Sequence, residues 1–232
     1  NAFEAAVYAK DFHTEYEGQD VHYSELFDME SLVQFWLVQE LFFNWDGMNN
    51  SNYMYKDVGG LMHMGPIWDM DLTSGNGGTG STSTWQTFGF EHWQHPDHWY
   101  RSITKDPYFI VQAQDYYQKI RHTLIDDMVK QVDRLDQEIH VAGRANTNRW
   151  HSGYYTNHVN HLKTWLEGHL QWLDEQFASP EKMIESLGQY PAYGYAPDAS
   201  IRIQTEESDG NVQVDIKAKD VEYVRAYLNG RS

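Results

Sequence analysis

Two carboxylates stand one residue apart in "MGPIWDMDLTSGN" (64–76), where Asp69 and Asp71 follow Ile67 and Trp68. Acidic side chains in apolar company need a partner. Asp46 lies upstream, in the Asn-rich stretch "NWDGMNNSN" (44–52). Between them, "YMYKDVGGLMHMGPIW" (53–68) reads as a β-hairpin: two runs of large apolar residues flank Asp57-Val58-Gly59-Gly60, whose glycines permit positive φ. A hairpin returns the chain to where it left. Asp46, ahead of the first strand, and Asp69, behind the second, should therefore converge. Two carboxylates meeting at a loop-rich end repel unless a proton or a cation lies between them. Hard cations with oxygen ligands fit, magnesium foremost, with calcium or manganese as alternatives. Asn49, Asn50, Ser51 and Asn52 add neutral oxygens beside Asp46, and Asp71 is a further candidate ligand.

The elements that must hold these residues are legible in part. Residues 1–27 are polar with scattered aromatics and carry no firm signal. Asp28 reads as an N-cap, and Leu32, Phe35, Trp36, Gln39, Phe42 and Phe43 then keep the rhythm of a mostly buried helix to about Asn44. Residues 73–84, rich in Gly, Ser and Thr, predict a flexible loop. Asp106-Pro107 opens a helix to about Leu124. Further helices are predicted over 125–143 and 155–177, with a short one from Ser179-Pro180. "YPAYGYAPD" (190–198) reads as a linker. After it, "SIRIQTEE", "NVQVDIKAK" and "VEYVRAYLNG" alternate as strands, with a turn at Ser208–Asn211. The fold class is α+β: a mainly helical domain over 1–189 with an embedded hairpin, then a small β appendage over 190–232.

Charge narrows the partners. The chain has 232 residues, with 34 acidic against 17 basic, a formal net charge of −17. Such a surface repels nucleic-acid backbones and anionic membranes. The aromatic content, 9 Trp, 16 Tyr and 10 Phe, suits tight packing and also stacking on sugars. With no cysteine there is no disulfide scaffold, Cys-ligated zinc or Cys nucleophile. No apolar run approaches the roughly 18 residues of a membrane span. The chain shows no signal peptide and opens without an initiator Met.

"DMESLVQFWLVQELFFNWDGMNNSNYMYKD" followed by "GLMHMGPIWDMDLTSGN" resembles the core of the CotH kinase family, atypical kinase-like proteins named for a spore-coat protein. "RSITKDPYF", "RANTNRW" (144–150) and "HLKTWLEGHLQWLDEQF" continue the resemblance, which covers about residues 25–178. It implies a protein-kinase-like C-lobe. The order matches that of protein kinases, where a catalytic-loop Asp accepts the hydroxyl proton, an Asn five residues on helps hold metal, and a second Asp beyond a hairpin holds magnesium. Carried over, Asp46 is the catalytic Asp. Asp69 is the metal ligand that positions ATP phosphates, and Asp71 is a further ligand or a support. Ser51 stands where a kinase has the metal-binding Asn, so Asn50 or Asn52 would substitute, or a second metal is absent. A nucleotide lobe with a phosphate-binding Lys is expected outside this chain, since Lys10 sits in no strand-like or Gly-rich context. The resemblance implies magnesium and ATP as cofactors and a Ser/Thr acceptor protein as partner; the acidic charge, aromatic excess, absent Cys and trailing strands favour an extracytoplasmic place: secreted, cell surface or spore coat.

Other readings compete. Asp46 is also the first residue of an Asp-Gly turn pair, Asp69 could be a loop or helix cap, and Asp71 is as readily a structural cap as a ligand. His92, His95 and His98 are spaced three apart, but Pro96 breaks any helix that would align them on zinc, so packing or surface roles are expected. Trp85, Trp93 and Trp99 either anchor their loop or line a sugar or peptide groove. Trp165 and Trp172 should be core, and His158, His161 and His169 should be core or solvated. Arg149, beside Trp150, should lock onto an acidic neighbour. A non-catalytic binding module for polysaccharide or coat protein is the alternative function, and a carboxylate-pair glycosidase ranks last.

Overall fold

The computed structural model describes residues 1–48, 50–76, 86–89 and 99–188, together with the backbone of two strands, 199–203 and 214–218. The expectations for Asn49, for Trp85, Trp93 and the three spaced histidines, for the linker, for the turn at 208–211 and for the third C-terminal strand lie outside these residues.

Helix α2 (Met29–Leu41) is the axis of the fold. Asp28 caps it, its Oδ1 accepting the Ser31 N–H at 2.8 Å. Its sequence is apolar on all sides, and Leu32, Val33, Phe35, Trp36 and Leu37 are all buried. A helix of that kind must be wrapped. Around Trp36 stand Phe109 and Phe177, at centroid distances of 5.3 and 6.0 Å. These come from α4 (Pro107–Ile120) and from the end of α6 (Tyr155–Gln176). The short α3 (Trp99–Ile103) and α7 (Pro180–Gly188) complete the wrapping. Helix α2 stops at Leu41, three residues short of expectation, because Phe43 takes a left-handed φ of 51° and turns the chain.

The N-terminal segment, silent in the sequence, is ordered. Helix α1 (Ala2–Val7) precedes an antiparallel pair, β1 (His13–Tyr16) and β2 (Gln19–His22). Lys10, expected away from any strand, lies in the turn between α1 and β1. The pair is held from a distance: the Tyr23 hydroxyl donates to Asp106 Oδ2 at 2.6 Å, while Asp106 Oδ1 caps α4 through the Tyr108 N–H at 3.0 Å.

After α4 one π-helical turn (Arg121–Ile125) leads into α5 (Asp126–Trp150). Arg121 fixes this junction with a fork onto Asp174, Nε to Oδ1 at 2.6 Å and Nη2 to Oδ2 at 2.7 Å. Helix α5 runs past its expected end at 143. Gly143 does not break it, because the absence of a Cβ lets the Tyr155 ring pack there. The expected hairpin forms as β3 (Met54–Lys56) and β4 (Met62–Met64), with Met54 opposite Met64. At the C-terminal end β5 (Ala199–Ile203) pairs antiparallel with β6 (Val214–Ala218). The α+β class is borne out, with helices dominant and the strands in small antiparallel pairs. Among the described residues no helix is long and apolar enough to cross a membrane.

Candidate functional site

Both ends of α2 anchor the site. At the N-terminal end β4 is pinned by main-chain bonds: Asp28 N–H to Met62 O at 2.8 Å, and Met62 N–H to Leu26 O at 3.0 Å. The Met64 N–H donates to Ser31 Oγ. At the C-terminal end Asn44, fully buried, clasps two loops. Its Oδ1 accepts the Gly47 N–H at 3.2 Å, and its Nδ2 lies 3.1 Å from Met70 Sδ. The loop after Asp71 returns to the same place, with the Ser74 N–H donating to Phe42 O at 2.7 Å. Ser74 is buried, so the first residues of the expected flexible stretch are docked; 77–85 lie outside the described residues.

Asp46 opens a 3₁₀ turn (Asp46–Met48). Its carbonyl accepts the N–H groups of Asn50 and Ser51 at 2.9 and 3.0 Å. Its carboxylate accepts from Asn50 Nδ2 at 2.9 Å and from Ser51 Oγ at 2.5 Å. The turn role proposed for an Asp-Gly pair is therefore real, but the carboxylate serves more than the turn. Ser51 Oγ also lies 3.4 Å from Asp69 Oδ2. The two carboxylates thus meet across a single hydroxyl, as the hairpin argument requires. Asp69 reaches this position with a left-handed backbone, φ 61°. Asp tolerates that region better than most side chains, at a cost of order 1–3 kcal/mol that surrounding structure must offset.

Asp46 is half-buried, and Asp69 and Asp71 are exposed. Asp71 is placed by its main chain, its carbonyl accepting from Asn76 Nδ2 at 2.7 Å. Asn52 follows Ser51 at the foot of β3 and is half-buried.

One hydroxyl carries one proton and satisfies one of the two carboxylates. The donor set, two carboxylates with a hydroxyl and amides alongside, is all hard oxygen and fits a divalent cation. Among the described residues no group of three or more His, Cys, Asp or Glu side chains is placed to hold a metal. A two-carboxylate site suits magnesium, which keeps waters and substrate phosphates as its remaining ligands, better than an all-protein calcium cage.

Sequence reasoning missed the support behind the site. Gln39, fully buried, lies under Gly47. Glu40, also fully buried, accepts the Gly89 N–H at 2.7 Å, and its carbonyl takes His169 Nε2 at 2.7 Å. Burial, and then the Glu40 charge, push the Tyr100 phenol well above its ordinary range. The sequence shows an acid at position 40 but not that its carboxylate faces inward. His169 is core, tilted against Trp165 at 4.6 Å. Trp165 is buried and Trp172 packs on the core. Trp99 is an anchor, 3.8 Å from Tyr100 and 5.4 Å from Phe3. Among the described residues no acid pairs with Arg149: it is exposed, and its guanidinium stands 5.0 Å over the Trp150 ring.

A family model described as CotH kinase protein matches residues 8–173. It starts earlier than the resemblance over 25–178 and takes in the β1–β2 pair. No curated protein and no solved structure matches the chain.

Proposed function

The chain belongs to the CotH kinase family, and from that premise we propose that it is an atypical kinase domain moving the terminal phosphoryl group of ATP to a Ser or Thr hydroxyl of a partner protein. One observation carries the reading: Asp46 and Asp69, brought together by the hairpin, face the same hydroxyl, Ser51 Oγ, at 2.5 and 3.4 Å.

In this reading Asp46 orients the acceptor hydroxyl and takes its proton, with Asn50 fixing the other carboxylate oxygen. Asp69 is the principal metal ligand, with Asp71 next to it. Ser51, Asn50 and Asn52 offer neutral oxygens toward the phosphates and the metal. A bound magnesium would supply charge neutralisation at the transferring phosphoryl group. The protein's contribution is positioning: Asn44 holds the two carboxylate loops together, and small displacements of such groups are costly in rate. The nucleotide lobe would lie outside this chain. An extracytoplasmic setting, secreted or on a cell or spore surface, is part of the proposal, motivated by the family and the acidic composition.

Incubating the full-length protein with magnesium, labelled ATP and dephosphorylated casein, then mapping phosphoserine by mass spectrometry, tests this. Transfer by wild type that is abolished in Asp46→Asn is expected. No transfer by wild type, or equal transfer by the variant, overturns it.

A second reading has its own observation. Tyr53, Tyr55 and Trp68 are 54, 55 and 57% exposed beside the hairpin. Exposed rings stack on sugars, so a polysaccharide-binding module on the same scaffold is the alternative. Glycan binding lost in Tyr53→Ala and Trp68→Ala, without any transfer, would favour it.

A further inference from the structure

The far end of the α5–α6 hairpin differs electrically from the rest of the chain. From Ile139 to Leu166 there is no Asp or Glu, in a protein of formal charge −17. The same stretch holds Arg144, Arg149 and Lys163. Lys163 is engaged by Asp133, at 2.6 Å. Arg144 and Arg149 are exposed near the tip. Trp150 is 68% exposed and Tyr154 79%. Trp, Tyr and Arg together are the composition of interaction hot spots. The last acid before the tip is Glu138, which faces Arg134 at 3.2 Å. Six residues of helix, about 9 Å, separate it from Arg144.

An anion approaching this protein meets repulsion over most of its surface and attraction here. Guanidinium groups recognise phosphate through paired, charge-assisted hydrogen bonds, and a phosphoserine carries up to twice the charge of a carboxylate. Arg149 is preset by its contact over Trp150, which leaves the guanidinium edge open to a ligand.

We propose that this tip docks phosphoserine-bearing segments of the acceptor protein, with Arg149 and Arg144 taking phosphate oxygens and Trp150 and Tyr154 packing on the segment's apolar atoms. The inference rests on the kinase reading, since phosphoserine is that reaction's product. A segment once phosphorylated would be held at the tip while further hydroxyls of the same chain reach Asp46.

The test needs no turnover. Fluorescence anisotropy is measured on the Asp46→Asn chain, without ATP, using a labelled peptide of alternating glycine and phosphoserine. Its unphosphorylated twin and a glycine–glutamate twin are run alongside, with vesicles containing phosphatidylserine as competitor. The phosphopeptide should bind about ten-fold or more tightly than either twin, as loss of charge-assisted hydrogen bonds implies. Arg149→Ala with Arg144→Ala should remove most of that advantage, and Trp150→Ala part of it. All three side chains are exposed, so these variants should unfold at the wild-type temperature. Equal binding of all three peptides, full binding by the double arginine variant, or displacement of the phosphopeptide by vesicles would overturn the proposal. Because no ATP is present, failed docking leaves the transfer assay standing, and failed transfer leaves the docking result readable.

Discussion

Asp69→Asn isolates the charge pair. Asn keeps the shape of Asp and tolerates the left-handed backbone at φ 61°. It removes one of two negative charges facing Ser51. Contact lengths of 2.5 and 3.4 Å, meeting at that hydroxyl at a roughly tetrahedral angle, would put the two oxygens about 5 Å apart. Coulomb repulsion at that distance is about 0.8 kcal/mol in bulk water and about 3 kcal/mol at an effective dielectric near 20. Asp69 is exposed and Asp46 half-buried, so the lower end applies, about 1 kcal/mol. Without divalent cations the variant should therefore be more stable than wild type, with Tm higher by about 2–4 °C for a chain of this size. Magnesium should reverse the order. At ten times its Kd it adds about 1.4 kcal/mol to wild type and little to the variant. The assay is thermal unfolding in chelator and across a magnesium titration. A variant less stable than wild type in chelator, or one shifted by magnesium as much as wild type, would refute the reasoning.

Three other perturbations probe the frame. Gly47→Ala would set a Cβ 2.5 Å from Asn44 Nδ2, and closer still to Gln39 Oε1. Both neighbours are fully buried, so urea unfolding should show a loss of about 1–3 kcal/mol, together with a smaller magnesium shift. Arg121→Ala, which breaks the fork onto Asp174, should cost about 2–4 kcal/mol by urea unfolding, with Arg121→Lys recovering less than half because an ammonium cannot fork. Burial raises the phenols of Tyr23, Tyr100 and Tyr117 above 10.0 in the fold. Their contribution is therefore complete below pH 10.0 and falls as pH rises past it. Stability by urea unfolding should decline above that point, and less steeply in Tyr117→Phe; an equal decline in that variant would contradict this.

What could be read from the sequence was what local chemistry encodes. Asp28 and Asp106-Pro107 announce helix starts because a cap needs only neighbours. The glycines at 59 and 60 mark the hairpin, and the hairpin returns the chain so that Asp69 comes back toward Asp46. What escaped depends on distant partners. The strands at 13–22 are four residues long, and their anchor, Asp106, is far along the chain. The Ser51 bridge depends on a left-handed Asp69, which no propensity foretells. Asn44 reads as the last residue of a helix, while its amide joins two loops. Arg149 suggested an acid partner, but the stretch around it holds none, and its neighbouring ring takes that place.

The central claim is that Asp46 and Asp69 form one phosphoryl-transfer site, and a double-mutant cycle on transfer rate tests it most directly. Labelled ATP, magnesium and dephosphorylated casein are supplied to full-length wild type, Asp46→Ala, Asp69→Ala and the double variant. Residues acting as a unit lose their effects together, so each single change should abolish most transfer and the double should be little worse than the more damaging single. Losses that multiply independently, or transfer that survives either single change, would contradict it.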